Sequence, residues 1–416
     1  MSNTSFRQRH FRNVSAKQWN DWRWQMQNAV HTGEALERFV QLTPQERLGC
    51  MQSQKLFRLR VPPYVLSLMD ASHPHCPIRR QAIPLPEEAR CAEGELEDPL
   101  GEEKYRPVEA LIHRYADRAL LLCTDMCPMY CRHCTRRRIT RGGHPLGEAA
   151  WAKAVDYIAA TPSIREVLLS GGEPALLSDA VLERLLKKLR AIAHVEIIRL
   201  GTRVPVTLPM RITPAFARLL RRHAPVFVVT HFNHPKEVTP QAERACALLV
   251  DAGVPVENQA VLLRGINSSV RILEELFSAC LRMRVRPYYL HQLDLAQGIE
   301  HMRTPLRFGM ELLQQLMGRV SGLALPAFAV DLPGGGGKVR IAPEAVVSWG
   351  KQQTVLQNHE GKYHAYPEPK EGDCHCPYEE IWTITAKAKA KAKPKAPKAK
   401  PKTKPKTKPK PLSTRL

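Results

Sequence analysis

Cys127-Pro128-Met129-Tyr130-Cys131-Arg132-His133-Cys134 sets three cysteines within eight residues, at C-x3-C-x2-C spacing. Three thiolates can hold three irons of a four-iron four-sulfur cluster. The fourth iron then lacks a protein ligand and is open to a small molecule, which points to chemistry rather than electron storage. The same cysteines could instead serve a zinc knuckle or lie as unrelated buried thiols. Structural zinc, however, usually takes four protein ligands, often as two spaced pairs.

Outward from this stretch, short apolar runs alternate with amphipathic ones. The runs are 119–123, 166–169, 195–200, 226–230, 254–263 and 286–293. Between them the pattern is helical: Val181, Leu182, Leu185, Leu186 and Leu189 follow i, i+3/i+4 spacing after a cap at Ser178 or Asp179. Alternating strands and helices predict an α/β fold with a parallel sheet and helices outside. Six units suit a partial (βα)6 TIM-like barrel, with a doubly wound sheet as the alternative. Polar or Gly-rich motifs follow nearly every run: the cysteines, Ser170–Pro174 (SGGEP), Gly201-Thr202-Arg203, 230–234 (THFNH), Glu257-Asn258-Gln259 and 291–294 (HQLD). In α/β barrels the site lies at the C-terminal ends of the strands, so these motifs should converge on one mouth.

The whole chain has 416 residues, enough for one large domain with additions or two domains. The expected division is a helical N-terminal region at 1–105, the barrel at 106–300, a C-terminal region at 301–385 and a basic tail at 386–416. In the N-terminal region Trp19, Trp22 and Trp24 suggest core packing, and Thr43 with Glu46 forms a capping-box signature. The acidic, Pro- and Gly-containing segment 84–103 reads as a linker. No apolar run approaches the ~20 residues of a membrane span, and 1–12 is polar and basic without a signal-peptide core. A cytoplasmic location is expected. Of eleven cysteines, four cluster between Cys123 and Cys134, which argues against a disulfide framework.

The net charge of +22 is unevenly placed. Residues 386–416 hold twelve lysines, one arginine and no acid, leaving +9 for the rest. That Ala/Lys/Pro/Thr tract cannot bury a core and is expected to be disordered. It would serve either as a polycationic arm for nucleic acid or another polyanion, or as a solubilising tail.

Beyond the barrel, Asp331-Leu332-Pro333 leads into Gly334–Gly337 and Lys338. A phosphate-binding loop is excluded, because its pattern needs Gly where Leu332 stands and Ser or Thr where Val339 stands. Lys338 is either a solvated lysine after a Gly-rich turn or the Schiff-base lysine of a carbonyl cofactor such as pyridoxal phosphate (PLP).

The cysteine spacing, with an aromatic residue just before Cys131, resembles the radical S-adenosylmethionine (SAM) superfamily. Taken with LIHRYADRALLLCTDMCPMYCRHCTRRR, VLLSGGEP, THFNHP, VENQAVLLRGIN, RVRPYYLHQLDL, HMRTPL and DLPGGGGK, in that order, the chain resembles the lysine 2,3-aminomutase family, a PLP-dependent branch. The resemblance covers about residues 17–376; the basic tail is foreign to it.

The resemblance implies a radical SAM-type barrel and an isomerase that shifts an amino group from the α- to the β-carbon. It implies Cys127, Cys131 and Cys134 as cluster ligands. Ser170, Gly171, Gly172 and Glu173 would meet the SAM amino group, with His133, His231 and Gln259 as further contacts. Lys338 would carry PLP, with Arg114, Tyr115 and Arg118 around its phosphate. Arg136 would pair with the substrate α-carboxylate. Asp294 and Asp331 would hold the substrate's distal ammonium, a pair that would repel a glutamate carboxylate and so favours lysine, without excluding arginine. An external electron donor and a homo-oligomer are also implied. The family's C-terminal zinc site is incomplete here: Cys374 and Cys376 are present, but Glu379 and Ser269 stand at the other positions. Cys50, Cys76, Cys91, Cys123, Cys246 and Cys280 are expected to be inert core thiols. The rival reading from another class is a non-catalytic nucleic-acid-binding protein that uses the tail.

Overall fold

The computed structural model describes residues 3–140 and 146–369, and at its centre one nine-stranded sheet follows chain order. Its parallel strands are β2 (Arg118–Thr124), β3 (Glu166–Gly171), β4 (Ile197–Gly201), β5 (Val226–Thr230), β6 (Val256–Leu262), β7 (Arg286–Gln292) and β8 (Ala327–Leu332). The edges β1 (Leu111–Tyr115) and β9 (Gly337–Ile341) pair antiparallel with β2 and β8. One helix of nine or more residues lies between each parallel strand and the next, from Glu148–Ala160 to Leu306–Leu316, with short helical turns beside some of them. The six expected strand–helix units are therefore β2 to β7 with their helices. β8 was not foreseen as a strand, because its end runs straight into Pro333 and the glycines, which read as a turn.

Three of the crossover helices begin on side-chain caps. The Ser178 hydroxyl accepts the Val181 N–H at 3.3 Å. Thr213 and Thr239 cap the next two helices, each followed by proline at the first helical position. Leu182, Leu185, Leu186 and Leu189 are buried against the sheet, as their spacing requires. The two sheet edges approach one another across a side chain: the Tyr115 hydroxyl on β1 accepts the backbone N–H of Lys338 on β9 at 3.1 Å.

The N-terminal helices between residues 3 and 82 form a second core around Leu36, Tyr64 and Ala82. Met129, from the cysteine stretch, packs into it. Trp19 is buried there, with Trp24 packed partly against it. The Thr43–Glu46 capping box is formed.

Segment 84–103 corrects the linker reading. Three of its carboxylates, Glu88, Glu95 and Glu102, are buried, two of them as counter-ions for arginines. Glu88 pairs with Arg132 and Arg137, Glu102 with Arg136 at 2.7 Å, and Glu95 accepts the N–H groups of Gly298 and Ile299. Gly94 and Gly101 turn this strap at positive φ, and three of its acids face inward while Glu93, Glu97 and Glu103 stay exposed, a division that composition alone cannot reveal. Burial raises the Glu88 pKa, but the two guanidiniums outweigh it and hold the carboxyl below its ordinary value. Removing one partner of such a pair leaves a buried uncompensated charge, at about 3–5 kcal/mol. Glu88→Ala should therefore destabilise the chain by about that amount in denaturant unfolding; an unchanged midpoint would mean the strap is dispensable.

Cys91 is exposed, against the expectation of a core thiol, because it sits on the outer side of this strap; Cys50, Cys76, Cys123, Cys246 and Cys280 are buried. Residues 346–357 and 363–367 belong to a separate compact unit, an antiparallel sheet of Val346–Ser348, Gln353–Gln357 and Tyr363–Pro367. Cys374, Cys376, Glu379 and the basic tail lie outside the described residues. Among the described residues no helix is long and apolar enough to cross a membrane.

Candidate active site

The register between β2 and β3 slips near their C-terminal ends, between Leu122 and Thr124, and the chain leaves β2 there into the cysteine stretch. The glycines of SGGE make room for it. A Cβ on Gly172 would stand 2.4 Å from the Met126 carbonyl oxygen, and Gly171 has φ +115°. The backbones lock instead: Gly172 N–H donates to Thr124 O at 2.6 Å and Glu173 N–H to Met126 O at 2.7 Å. These glycines therefore seat the cysteine stretch against β3, whatever else they contact. Burial pushes the Cys134 thiol up to about 11 and the Cys127 thiol well above its ordinary value. At neutral pH such thiols stay protonated unless a metal displaces the proton.

Glu173 is buried at 3% exposure and turned into the protein. Its carboxylate accepts the N–H groups of Ala175 at 3.1 Å and Arg203 at 2.8 Å. Burial lifts it to about 7, against these hydrogen bonds and that of Thr202. His231 is lowered to about 4 by burial, then by Arg203 and Arg136. His133 is likewise held neutral, chiefly by burial, and its Nδ1 has no hydrogen-bond partner.

Lys338 pairs across the strands with Asp331 in the β8–β9 register. Cross-strand partners of opposite charge meet directly, and here Nζ lies 2.6 Å from Asp331 Oδ2 and 3.3 Å from His291 Nδ1. The glycine run lets this strand close on β1: a Cβ on Gly337 would stand 2.7 Å from Arg114 Nη2. Arg114 lies over the rings of Tyr105 and Tyr115, each at 5.0 Å, and Arg118 lies over Tyr115 at 4.0 Å. Among the described residues Arg114 pairs with no carboxylate, whereas Arg118 meets Asp117 at 2.8 Å.

Arg136 is held by Glu102, through Nε at 2.9 Å and Nη2 at 2.7 Å, and its Nη1 points to Ser170 Oγ at 3.3 Å. Asp294 accepts the Thr135 hydroxyl at 2.6 Å through Oδ2, while its Oδ1 is buried without a partner. Burial pushes this carboxyl up to about 6; Asp331 adds to the rise, and Thr135, Lys338 and Arg136 oppose it.

Apart from Asp294 and His291, the candidate groups line one cavity of about 940 Å³, at the upper end of the range for small-molecule sites. Asp294 stands behind Thr135. The cysteines and Lys338 share this lining.

Comparison with known proteins bears on the family. A family model for the radical SAM superfamily matches residues 121–276, and one for lysine-2,3-aminomutase matches 313–403. L-lysine 2,3-aminomutase of Fusobacterium nucleatum subsp. nucleatum is 48% identical over 373 residues, 89% of this chain and 87% of the relative. That of Clostridium subterminale is 49% identical over 360 residues, 86% of each chain. The chain belongs to the lysine 2,3-aminomutase family. Glutamate 2,3-aminomutase of Clostridioides difficile is also similar, 39% identical over 84% of this chain and 83% of its own, so the substrate has to be argued from the pocket.

Membership of the radical SAM superfamily implies a four-iron four-sulfur cluster and SAM. The residues fit a cluster: the thiols of Cys127, Cys131 and Cys134 share one cavity wall, and burial keeps those of Cys127 and Cys134 from ionising readily. Among the described residues no three ligand side chains converge on a single-ion site.

Sequence reasoning passed over four residues around this family site. Glu102 was hidden in the supposed linker. Thr135, behind the cysteines, and His291, inside a quoted motif, carried no role. Arg203, also in a quoted motif, donates to a cysteine sulfur. Only the distances distinguish them from ordinary polar residues.

Proposed function

We propose that this chain moves the amino group of L-lysine from C2 to C3, giving β-lysine, with a cluster on Cys127, Cys131 and Cys134, with SAM and with PLP on Lys338. The observation that carries the substrate is the Asp331 carboxylate, which holds the primary ammonium of Lys338 at 2.6 Å. An alkylammonium is therefore at home in this part of the cavity. The partnerless Oδ1 of Asp294 offers a second acceptor close by. A glutamate side chain would bring a third carboxylate to these two, an arrangement that costs several kcal/mol at an interface.

The donor set also suits PLP. Lys338 is a primary amine at the cavity wall, and Arg114, lacking a carboxylate, suits a phosphate in the bidentate way a guanidinium allows. Tyr115 lies between Arg114 and Arg118 and fixes the Lys338 backbone.

The bound groups would supply homolytic cleavage of SAM at the cluster and, on PLP, a π-system across which nitrogen can migrate. The chain's own residues bind and orient. Arg136, already aligned by Glu102, would take the substrate α-carboxylate with the donors left to it. Asp294 and Asp331 would hold the distal ammonium, fixing the length of side chain between the two ends. The neutral imidazole of His291, lowered well below its ordinary pKa by burial and then by Lys338, can accept from the lysine amine without adding charge. An oxygen-sensitive cluster assigns the enzyme to a reducing compartment, the cytoplasm, with an external electron donor.

The test is product identity. Chain reconstituted anaerobically with iron, sulfide and PLP, then given SAM, a reductant and L-lysine, should yield β-lysine by mass spectrometry and chromatography. Unchanged lysine in the presence of an intact cluster and bound PLP would overturn the assignment.

A further inference from the structure

The strongest unexplained contact lies behind the cysteines. Arg203, in the loop after β4, directs Nη1 at Cys131 Sγ, 2.8 Å away. The other arms of the guanidinium are anchored to oxygens on separate elements. Nε donates to the His231 carbonyl at 3.1 Å, and Nη2 donates to Gln81 Oε1 at 2.5 Å and to Glu237 Oε1 at 2.8 Å. Gln81 belongs to the N-terminal helix Pro77–Ala82, and Glu237 closes the turn Pro235–Glu237 after β5. Both anchors are themselves fixed. Glu237 Oε2 accepts the Asn233 and His234 N–H groups at 2.6 and 3.1 Å, and Gln81 Nε2 donates to Glu237 Oε1 at 2.9 Å. Even the Arg203 backbone is held, by Glu173. The result is a buried cation with one direction left to it, and that direction is a sulfur.

A guanidinium forced out of water is costly unless its charge is used. Glu237 alone would neutralise it in the apo chain. Once a cluster is present, the Cys131 sulfur carries negative charge that grows when the cluster takes an electron. Hydrogen bonds to cluster sulfurs are among the features that set reduction potential, because they favour the more negative, reduced form. Burial removes the screening that water would provide.

We propose that Arg203 is a positioning residue for the cluster: it orients the Cys131 sulfur and raises the potential at which the cluster accepts its electron. Gln81 and Glu237 hold the guanidinium in that orientation. This rests on the reading of Cys127, Cys131 and Cys134 as cluster ligands. It assigns the N-terminal helical region, through Gln81, a part in the redox chemistry of the barrel.

Arg203→Lys keeps a cation for Glu237 but cannot reach Glu237, Gln81 and the sulfur together. In the full chain, reconstituted anaerobically, its iron and sulfide content should match the parent, and the midpoint of an EPR-monitored redox titration should move to more negative potential. SAM cleavage should then fall with a weak reductant and recover with a stronger one. An unshifted midpoint in a fully loaded variant would overturn the proposal. Resonance Raman spectra of the parent in H2O and D2O provide the second measurement, should the variant fail to fold. A deuterium-sensitive Fe–S(Cys) stretch is expected from an N–H donor on the sulfur, and its absence would also overturn the proposal. A parent chain that binds no cluster at all would instead remove the ligand reading on which it rests.

Discussion

Lys338→Ala should give a folded chain that loses PLP on dialysis, shows no absorbance from bound PLP and forms no β-lysine. Folding should survive, because Lys338 lies on an edge strand and its side chain is 25% exposed. What is lost there is one partly solvated ion pair to Asp331, about 1 kcal/mol at most. The amine itself has no substitute: among the described residues, it is the lysine that lines the cavity between Arg114 and Asp331. Lys338→Arg separates charge from covalent chemistry. It keeps a cation beside Asp331 but offers no primary amine, so it should fail as completely as the alanine variant. Normal PLP absorbance in either variant would remove Lys338 from its proposed role.

Asp294→Asn is the second large effect. The amide can still accept from Thr135 and nearly preserves volume, so only the charge is removed. Losing one partner of a buried charge pair costs about 2–5 kcal/mol, so kcat/KM for lysine should fall roughly thirty- to several-thousand-fold. The pH dependence supplies a second readout. Burial first, then Asp331, places the Asp294 carboxyl at about 6. Below that it is protonated and no longer attracts an ammonium, so kcat/KM of the parent should fall as pH drops through about 6. That limb should vanish in the variant. Glu173, pushed to about 7 by burial, titrates nearby, and any limb that survives Asp294→Asn belongs to it or to another group. Stability should move the other way. A carboxyl raised above its unfolded value binds its proton more readily when folded, so it destabilises progressively as pH rises from 3.8 towards 6, and the penalty persists above. Asp294→Asn should therefore raise Tm at neutral pH while lowering activity. Unchanged kinetics would remove the substrate argument.

Much of the barrel was legible because its signals are local. Apolar runs of strand length, helical leucines after Ser178 and motifs at strand ends all report on neighbours in sequence. The convergence of SGGE, His231, Gln259 and the cysteines on one cavity follows from parallel topology alone. Resemblance to a family, rather than spacing, supplied the roles of Lys338, Arg136 and the aspartates. The remainder was hidden for physical reasons. Segment 84–103 looks solvated because acids normally are, and nothing local states that Glu88 and Glu102 meet arginines more than thirty residues away. β8 was masked by the proline and glycines that end it. The link from Arg203 to Cys131 spans 72 residues and joins two motifs that the sequence presents as independent.

The most direct test of the central claim is a competition. The reconstituted chain would receive SAM, reductant and an equimolar mixture of lysine, arginine and glutamate under anaerobic conditions, with β-amino acids and 5'-deoxyadenosine identified by mass spectrometry. β-Lysine should be the dominant product, accompanied by 5'-deoxyadenosine. β-Glutamate as the main product would contradict the reading of Asp294 and Asp331 as the ammonium site.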